Sequence, residues 1–120
     1  MDKSALLDLY GEISAEQLSN FAEQAGLGGD NPADLREFRK ILSGKHKILE
    51  VGCGTGRLGK HLVKDYKYTG IDINQEYLNS FSNYLKKIDY DPSKLIENKY
   101  FLEYDGSNFD AILFPMDRNK

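Results

Sequence analysis

The stretch ILEVGCGTGRLGKHL, Ile48 to Leu62, decides the fold. It opens as a short apolar run, Lys47 to Val51, broken by one acid, Glu50. Glycines follow at 52, 54, 56 and 59, and from Leu58 to Val63 the spacing is that of a helix. A glycine-rich turn from strand to helix lets a ligand come close to the backbone, while the helix start lends N–H donors and partial positive charge. Three kinds of ligand compete for such a turn: a nucleotide phosphate, a dinucleotide pyrophosphate and a sulfonium cofactor.

The first is the weakest. A phosphate-cradling nucleotide loop ends in Gly-Lys-Ser/Thr, whereas Gly56 is followed by Arg57 and Leu58. The dinucleotide pattern GxGxxG is matched literally by Gly54-Thr55-Gly56-Arg57-Leu58-Gly59, and Asp72 lies 18 residues past Gly54, near the expected ~20. That frame pushes the strand end to Cys53 and strands Glu50 and Gly52 inside it. Glycine weakens a strand interior, and a buried charge there needs a partner. Starting the frame at Gly52 repairs the strand but puts Arg57 where the third glycine belongs.

Outward from the loop, Tyr66 to Ile73 is a second strand stopping at Asp72. Asn74 can cap the next helix, whose apolar positions are Tyr77, Leu78, Phe81, Tyr84, Leu85 and Ile88. Asp91-Pro92-Ser93 is a turn, and Phe109 to Phe114 is a strand closed by Pro115. On the other side, Asn31-Pro32 opens a helix with Leu35, Phe38, Ile41 and Leu42 as its apolar face. Earlier still, Ser14 and Gln17 form a capping box ahead of Leu18, Phe21, Ala22 and Ala25. Strand–helix alternation predicts an α/β domain with a parallel sheet.

One segment has two readings. KYFLEYDGSNFDAILF, Lys99 to Phe114, looks like a hairpin turning at Asp105-Gly106. Used as a parallel strand, Tyr100–Tyr104 leaves too short a crossover, which takes a dozen or more residues. The preferred alternative makes Lys94 to Glu97 the third strand. Its connection, Asn98 to Asn108, spans ~36–40 Å when extended, enough to return across a sheet.

The string ILEVGCGTG resembles motif I of the class I S-adenosylmethionine-dependent methyltransferases, an acid at the strand end followed by GxGxG. Glu50, Gly52, Gly54 and Gly56 fill those places. YTGIDINQEYL, Tyr68 to Leu78, resembles motif II with Asp72 at its strand end, and FDAILFP, Phe109 to Pro115, resembles motif IV. The resemblance covers roughly residues 35–115. It implies a Rossmann-like parallel sheet in the order 3-2-1-4 and S-adenosyl-L-methionine as cofactor, leaving S-adenosyl-L-homocysteine. In its terms Glu50 helps hold the amino-acid end, Gly52, Cys53 and Gly54 pass their backbones along it, Gly56 completes the loop, Asp72 takes the ribose hydroxyls, and Ile73 packs on adenine. Asn98 or Asp105 would meet the adenine amino group. No residue is assigned as catalytic base. The implied function is methyl transfer to an unidentified small-molecule or protein acceptor. The alternatives are a non-catalytic cofactor-binding or interaction module and an NAD-binding Rossmann domain.

The remaining residues take ordinary roles. Cys53 is a small loop residue, not a nucleophile, and Gly59 serves helix–sheet packing. With 120 residues, 40% hydrophobic and 29% charged, the chain has the composition of one soluble globular domain. A net charge of −3 gives no electrostatic reason to expect nucleic acid or an anionic membrane. No apolar run reaches membrane-span length. One cysteine excludes an internal disulfide and, with two histidines, a structural zinc site, so a reducing cytoplasmic setting is expected. Residues 1–30 are expected to form a helical extension or lid and residues 31–120 the cofactor-binding half. The family's usual sheet runs 3-2-1-4-5-7-6, so this chain is expected to be a C-terminally truncated or short form. Its fourth strand would then be an apolar exposed edge through which it dimerises.

Overall fold

The computed structural model describes Gln17 and residues 33–115. The expected extension over residues 1–30, including the Ser14–Gln17 capping box, lies outside the described residues but for Gln17, as does the Asn31-Pro32 helix entry.

Among the described residues four parallel strands form one sheet: β1 (Lys47–Val51), β2 (Lys67–Asp72), β3 (Ile96–Asn98) and β4 (Ala111–Leu113), in the order β3-β2-β1-β4. The order is the expected one. Helix α1 (Ala33–Ile41) precedes β1, the short α2 (Gly59–Leu62) links β1 to β2, and α3 (Gln75–Lys87) links β2 to β3. Ile48, Leu49 and Glu50 are all buried in succession, as are Gly70, Ile71 and Asp72. Burial on both faces explains why these strands read as continuous runs instead of alternating ones.

The core gathers Leu35 and Leu42 from the α1 region, Ile48 and Tyr68 from the strands, Leu58 and Leu62 around α2, and Leu78, Phe81 and Leu85 from α3. On α1 the spacing 35, 38, 42 defines one stripe. Ile41 sits a residue off it and is 64% exposed, a correction to the expected apolar face. On α3, Asn74 caps as expected, its side chain accepting from the Tyr77 N–H at 3.1 Å. Tyr77, Leu78, Phe81 and Leu85 are buried, with Tyr84 and Ile88 half-buried.

The third strand forms where the parallel reading put it, displaced by two residues at its start. Asp91 accepts from the Ser93 N–H and hydroxyl at 3.0 and 2.7 Å, which winds Pro92–Lys94 into a 3-10 turn. Lys94 therefore belongs to the turn, and pairing runs from Ile96 to Asn98. The hairpin does not form. Phe101–Glu103 is a second 3-10 turn, and its resemblance to a hairpin comes from aromatic pairs without a ladder. Phe101 meets the Phe114 ring edge-on at 5.3 Å, and Tyr104 lies 6.3 Å from Phe109. The fourth strand is shorter than the expected Phe109–Phe114. Among the described residues it is an edge, with Ile112 and Phe114 47% and 46% exposed.

Candidate functional site

The carboxyl ends of β1 and β2 lie side by side, with Glu50 opposite Gly70 and Val51 opposite Ile71. β1 ends at Val51, so Gly52 opens the loop, as the GxGxG frame requires and the literal GxGxxG frame does not. The chain turns at once: the N–H groups of Gly52 and Cys53 both donate to the Ile71 carbonyl, at 2.8 and 3.1 Å. Gly52 sits at φ +77° with open space where a Cβ would be. It is needed for its backbone conformation, and it leaves a cradle beside the loop that any side chain would fill. Gly59, by contrast, is needed for room: a Cβ there would lie 2.5 Å from both Phe81 Cζ and Tyr68 Oη.

Asp72 ties the second strand end to the loop. Its Oδ2 accepts from the Gly54 N–H at 2.9 Å and its Oδ1 from the Asn74 N–H at 2.8 Å. Burial pushes its carboxyl above the usual range, opposed by these backbone donors. Glu50 is 2% exposed and lies under the loop, where the Tyr68 hydroxyl donates to its Oε1 at 2.5 Å. Burial raises its pKa to about 8; Tyr68 and Arg57 pull it down, and Asp72 and Asp34 push it up. Cys53 is buried, and desolvation beside two acids pushes its thiol well up, so it carries no thiolate nucleophile.

Ile73 is half-buried just past β2. Asn98 is brought to the site: it stands opposite Asp72 in the sheet, and its Nδ2 donates to the Asp72 carbonyl at 3.1 Å. Asp105 is an exposed residue in the β3–β4 connection. Two participants escape a reading of motifs. Arg57, inside the loop, makes a two-pronged ion pair with Asp34 of α1, at 2.7 and 2.9 Å. Tyr68 reaches Glu50 across the sheet. Neither pairing is signalled by spacing, because each joins elements whose contact depends on the finished sheet. The arrangement offers two carboxyls beside an open cradle, with the Gly52, Cys53 and Gly54 N–H groups engaged within the protein and Arg57 engaged by an acid. That set suits a ligand carrying positive charge and hydroxyls better than a phosphate. Among the described residues no group of His, Cys, Asp and Glu is arranged to hold a metal ion, and no helix is long and apolar enough to cross a membrane.

Residues 48–117 match the family model described as a methyltransferase domain, and the chain belongs to that family. Solved structures share the fold. The magnesium protoporphyrin IX methyltransferase of Synechocystis PCC 6803, solved with bound SAM, is 14% identical with a TM-score of 0.59, covering 93% of this chain and 61% of that one. Its complex with SAH gives a TM-score of 0.60. The methyltransferase domain of a bacterial protein, CtHen1-CN, is 27% identical over 65% of this chain and 46% of that one, with a TM-score of 0.52. The chain thus spans about half to three fifths of the length of these proteins. No curated protein matches it by sequence.

Proposed function

We propose that this chain binds S-adenosyl-L-methionine at the carboxyl ends of β1 and β2 and supplies the cofactor half of a methyltransferase, with a small molecule favoured as acceptor. The observation that carries this reading is the pair of buried carboxyls, Glu50 and Asp72, flanking a loop whose cradle stands open at Gly52. Bound there, the cofactor supplies an electrophilic methyl on a sulfonium. The chain's own residues hold and align it. Glu50 accepts from the α-amino group, directly or through water. Gly52, Cys53 and Gly54 present backbone to the amino-acid end, and Gly56 keeps the loop close to α3. Asp72 takes the ribose hydroxyls with the lone pairs its backbone donors leave free. Ile73 packs on adenine, and Asn98, beside Asp72, is preferred to Asp105 for the adenine amino group. The catalytic base and the acceptor site are left to whatever surrounds this half-sheet.

Residues 1–30 serve as a helical extension or lid in this reading, and β4 is a pairing edge for a second copy. Ile112 on this edge strand and Phe114 just past it support the latter, as exposed apolar residues. Light scattering after size-exclusion chromatography reads it out: a monomer at high concentration removes the dimer from the proposal.

Titration calorimetry with S-adenosyl-L-methionine, S-adenosyl-L-homocysteine and NAD tests the cofactor. Wild type should bind the first two and not NAD. Asp72→Ala should weaken them ~100-fold or more, since two hydrogen bonds to a charged group are lost and the loop loses its clasp. Binding of NAD that Asp72→Ala abolishes would replace the reading with a dinucleotide-binding one. Cofactor binding without turnover on any acceptor would favour a non-catalytic binding module.

A further inference from the structure

A fully buried tyrosine on a parallel strand calls for an explanation. Its ring can be replaced by that of phenylalanine, whereas its hydroxyl costs free energy to bury unless it finds a partner. Tyr68 is 2% exposed, its ring meets Phe81 edge-on at 6.2 Å, and its hydroxyl donates to Glu50. The path to Glu50 runs along β2. Tyr68 stands opposite Ile48, and Gly70, two residues on and on the same face, stands opposite Glu50. A Cβ at Gly70 would lie 2.6 Å from Tyr68 Oη and 2.9 Å from Cys53 Sγ, and a Cβ at Gly59 would lie 2.5 Å from Tyr68 Oη. Neither glycine is among those with positive φ. Both are therefore explained by room, not by backbone conformation, and the Tyr68 hydroxyl is a neighbour common to the two, beside Phe81 at Gly59 and Cys53 at Gly70.

Taking Glu50 as the anchor for the cofactor's amino-acid end, as proposed above, we infer that Tyr68 is a positioning residue of that site: its hydroxyl, held in the slot left by Gly59 and Gly70, orients the Glu50 carboxylate and stabilises its ionised form for the incoming ammonium. The groups facing Glu50 set the balance. Arg57 from the loop favours the carboxylate; Asp72 at the end of β2 and Asp34 on α1 oppose it. The Cys53 thiol stays protonated beside it. Tyr68 is thus a neutral donor that favours the anion without adding a competing charge.

The test is calorimetric titration of S-adenosyl-L-homocysteine into wild type, Tyr68→Phe, Glu50→Gln and the double variant from pH 6 to 8.5, with melts to confirm folding. Wild-type affinity should rise with pH. Tyr68→Phe should bind ~10-fold more weakly at pH 7, the worth of one hydrogen bond to a charged group, with its profile displaced ~1 unit upward. In the Glu50→Gln background the Tyr68→Phe loss should fall to roughly twofold or less. A role in packing alone predicts the same loss at every pH and in both backgrounds, and that result would overturn the inference. So would a Tyr68→Phe profile identical to wild type. Should Tyr68→Phe not fold, 3-fluorotyrosine placed at 68 keeps the ring and makes a stronger donor. It should displace the profile downward, and an unmoved profile counts against the role. If wild type itself binds neither cofactor nor product, the cofactor reading has failed, a result distinct from binding that ignores Tyr68.

Discussion

At the carboxyl end of the sheet, Glu50 and Asp72 are buried, and burial raises the pKa of both. At the amino end, Asp110 stands in solvent, and its Oδ2 accepts from the N–H groups of His46 and Lys47 at 2.8 and 2.9 Å, which lower its pKa. Around it the structure closes on itself. The Asp110 N–H donates to the Lys47 carbonyl at 2.7 Å, Lys47 Nζ donates to the Ser107 carbonyl at 3.0 Å, and the same ammonium lies 4.8 Å from the Phe109 ring centre. The two ends use the same side-chain chemistry to opposite effect. At the amino end a carboxylate satisfies strand donors and costs nothing to keep charged. At the carboxyl end two carboxyls are held where charging them is expensive, beside a loop of positive-φ glycines. An arrangement that costs stability in the free protein is expected where a ligand is to supply the missing counter-charge.

The largest break in that contrast should come from Gly70→Ala. The new Cβ overlaps Tyr68 Oη, Cys53 Cβ and Cys53 Sγ, all at less than 3 Å. These groups are boxed in by the buried core, so they cannot swing away as surface atoms would. Overpacking of this kind costs about 1–3 kcal/mol, and urea denaturation should show the midpoint falling accordingly. An unchanged midpoint would mean that the slot around the Tyr68 hydroxyl is not tight.

Glu50→Gln should sharpen the contrast through pH. The folded carboxyl titrates at about 8 against an ordinary value of 4.5. Between those values the folded state keeps a proton that the unfolded chain has released. The stability associated with the protonated form is complete below 4.5 and is lost as pH rises toward 8. Asp72, also raised, acts in the same direction. Glutamine does not ionise, and its amide oxygen can still accept from Tyr68. The variant should therefore melt several degrees higher than wild type at pH 8, with the gap narrowing as pH falls toward 5. A wild type whose melting temperature is flat across that range would refute the burial cost assigned to Glu50.

Much of the carboxyl end was legible in the sequence because its marks are local. The acid before the glycines and the aspartate ending the second strand could be read without knowing what touches them; the alternation of elements pointed to a parallel sheet, and the order 3-2-1-4 came with the motif resemblance. Tyr68 could not be assigned to Glu50 in that way. The contact exists only once β1 and β2 pair in the observed register, which sets Gly70 opposite Glu50 and leaves the hydroxyl a path. The Arg57–Asp34 pair likewise depends on where α1 docks. Ile41 was misread because one residue of helical phase moves a side chain by about 100°. The Phe101–Phe114 and Tyr104–Phe109 contacts imitate the pattern of a hairpin while leaving the backbone unpaired. At the amino end the Asp110 clasp had no mark at all, because an aspartate just before a strand is an ordinary residue until its backbone partners are known.

Asp110→Asn is the gentlest probe, and it tests whether the two ends are independent. The amide oxygen can still take both N–H groups, but without charge. Because the folded Asp110 pKa lies below the ordinary 3.8, its stabilisation is present above that value and is lost as pH falls through the folded pKa. The variant should therefore melt slightly below wild type at pH 7, and the two curves should converge in acid, opposite in sense to the Glu50→Gln pair. Cofactor affinity should not change, since Asp110 lies at the far end of β1 from the glycine loop. Weaker cofactor binding in Asp110→Asn would mean that the start of β1 helps set Glu50 in place, and the separation of a structural end from a functional one would not hold.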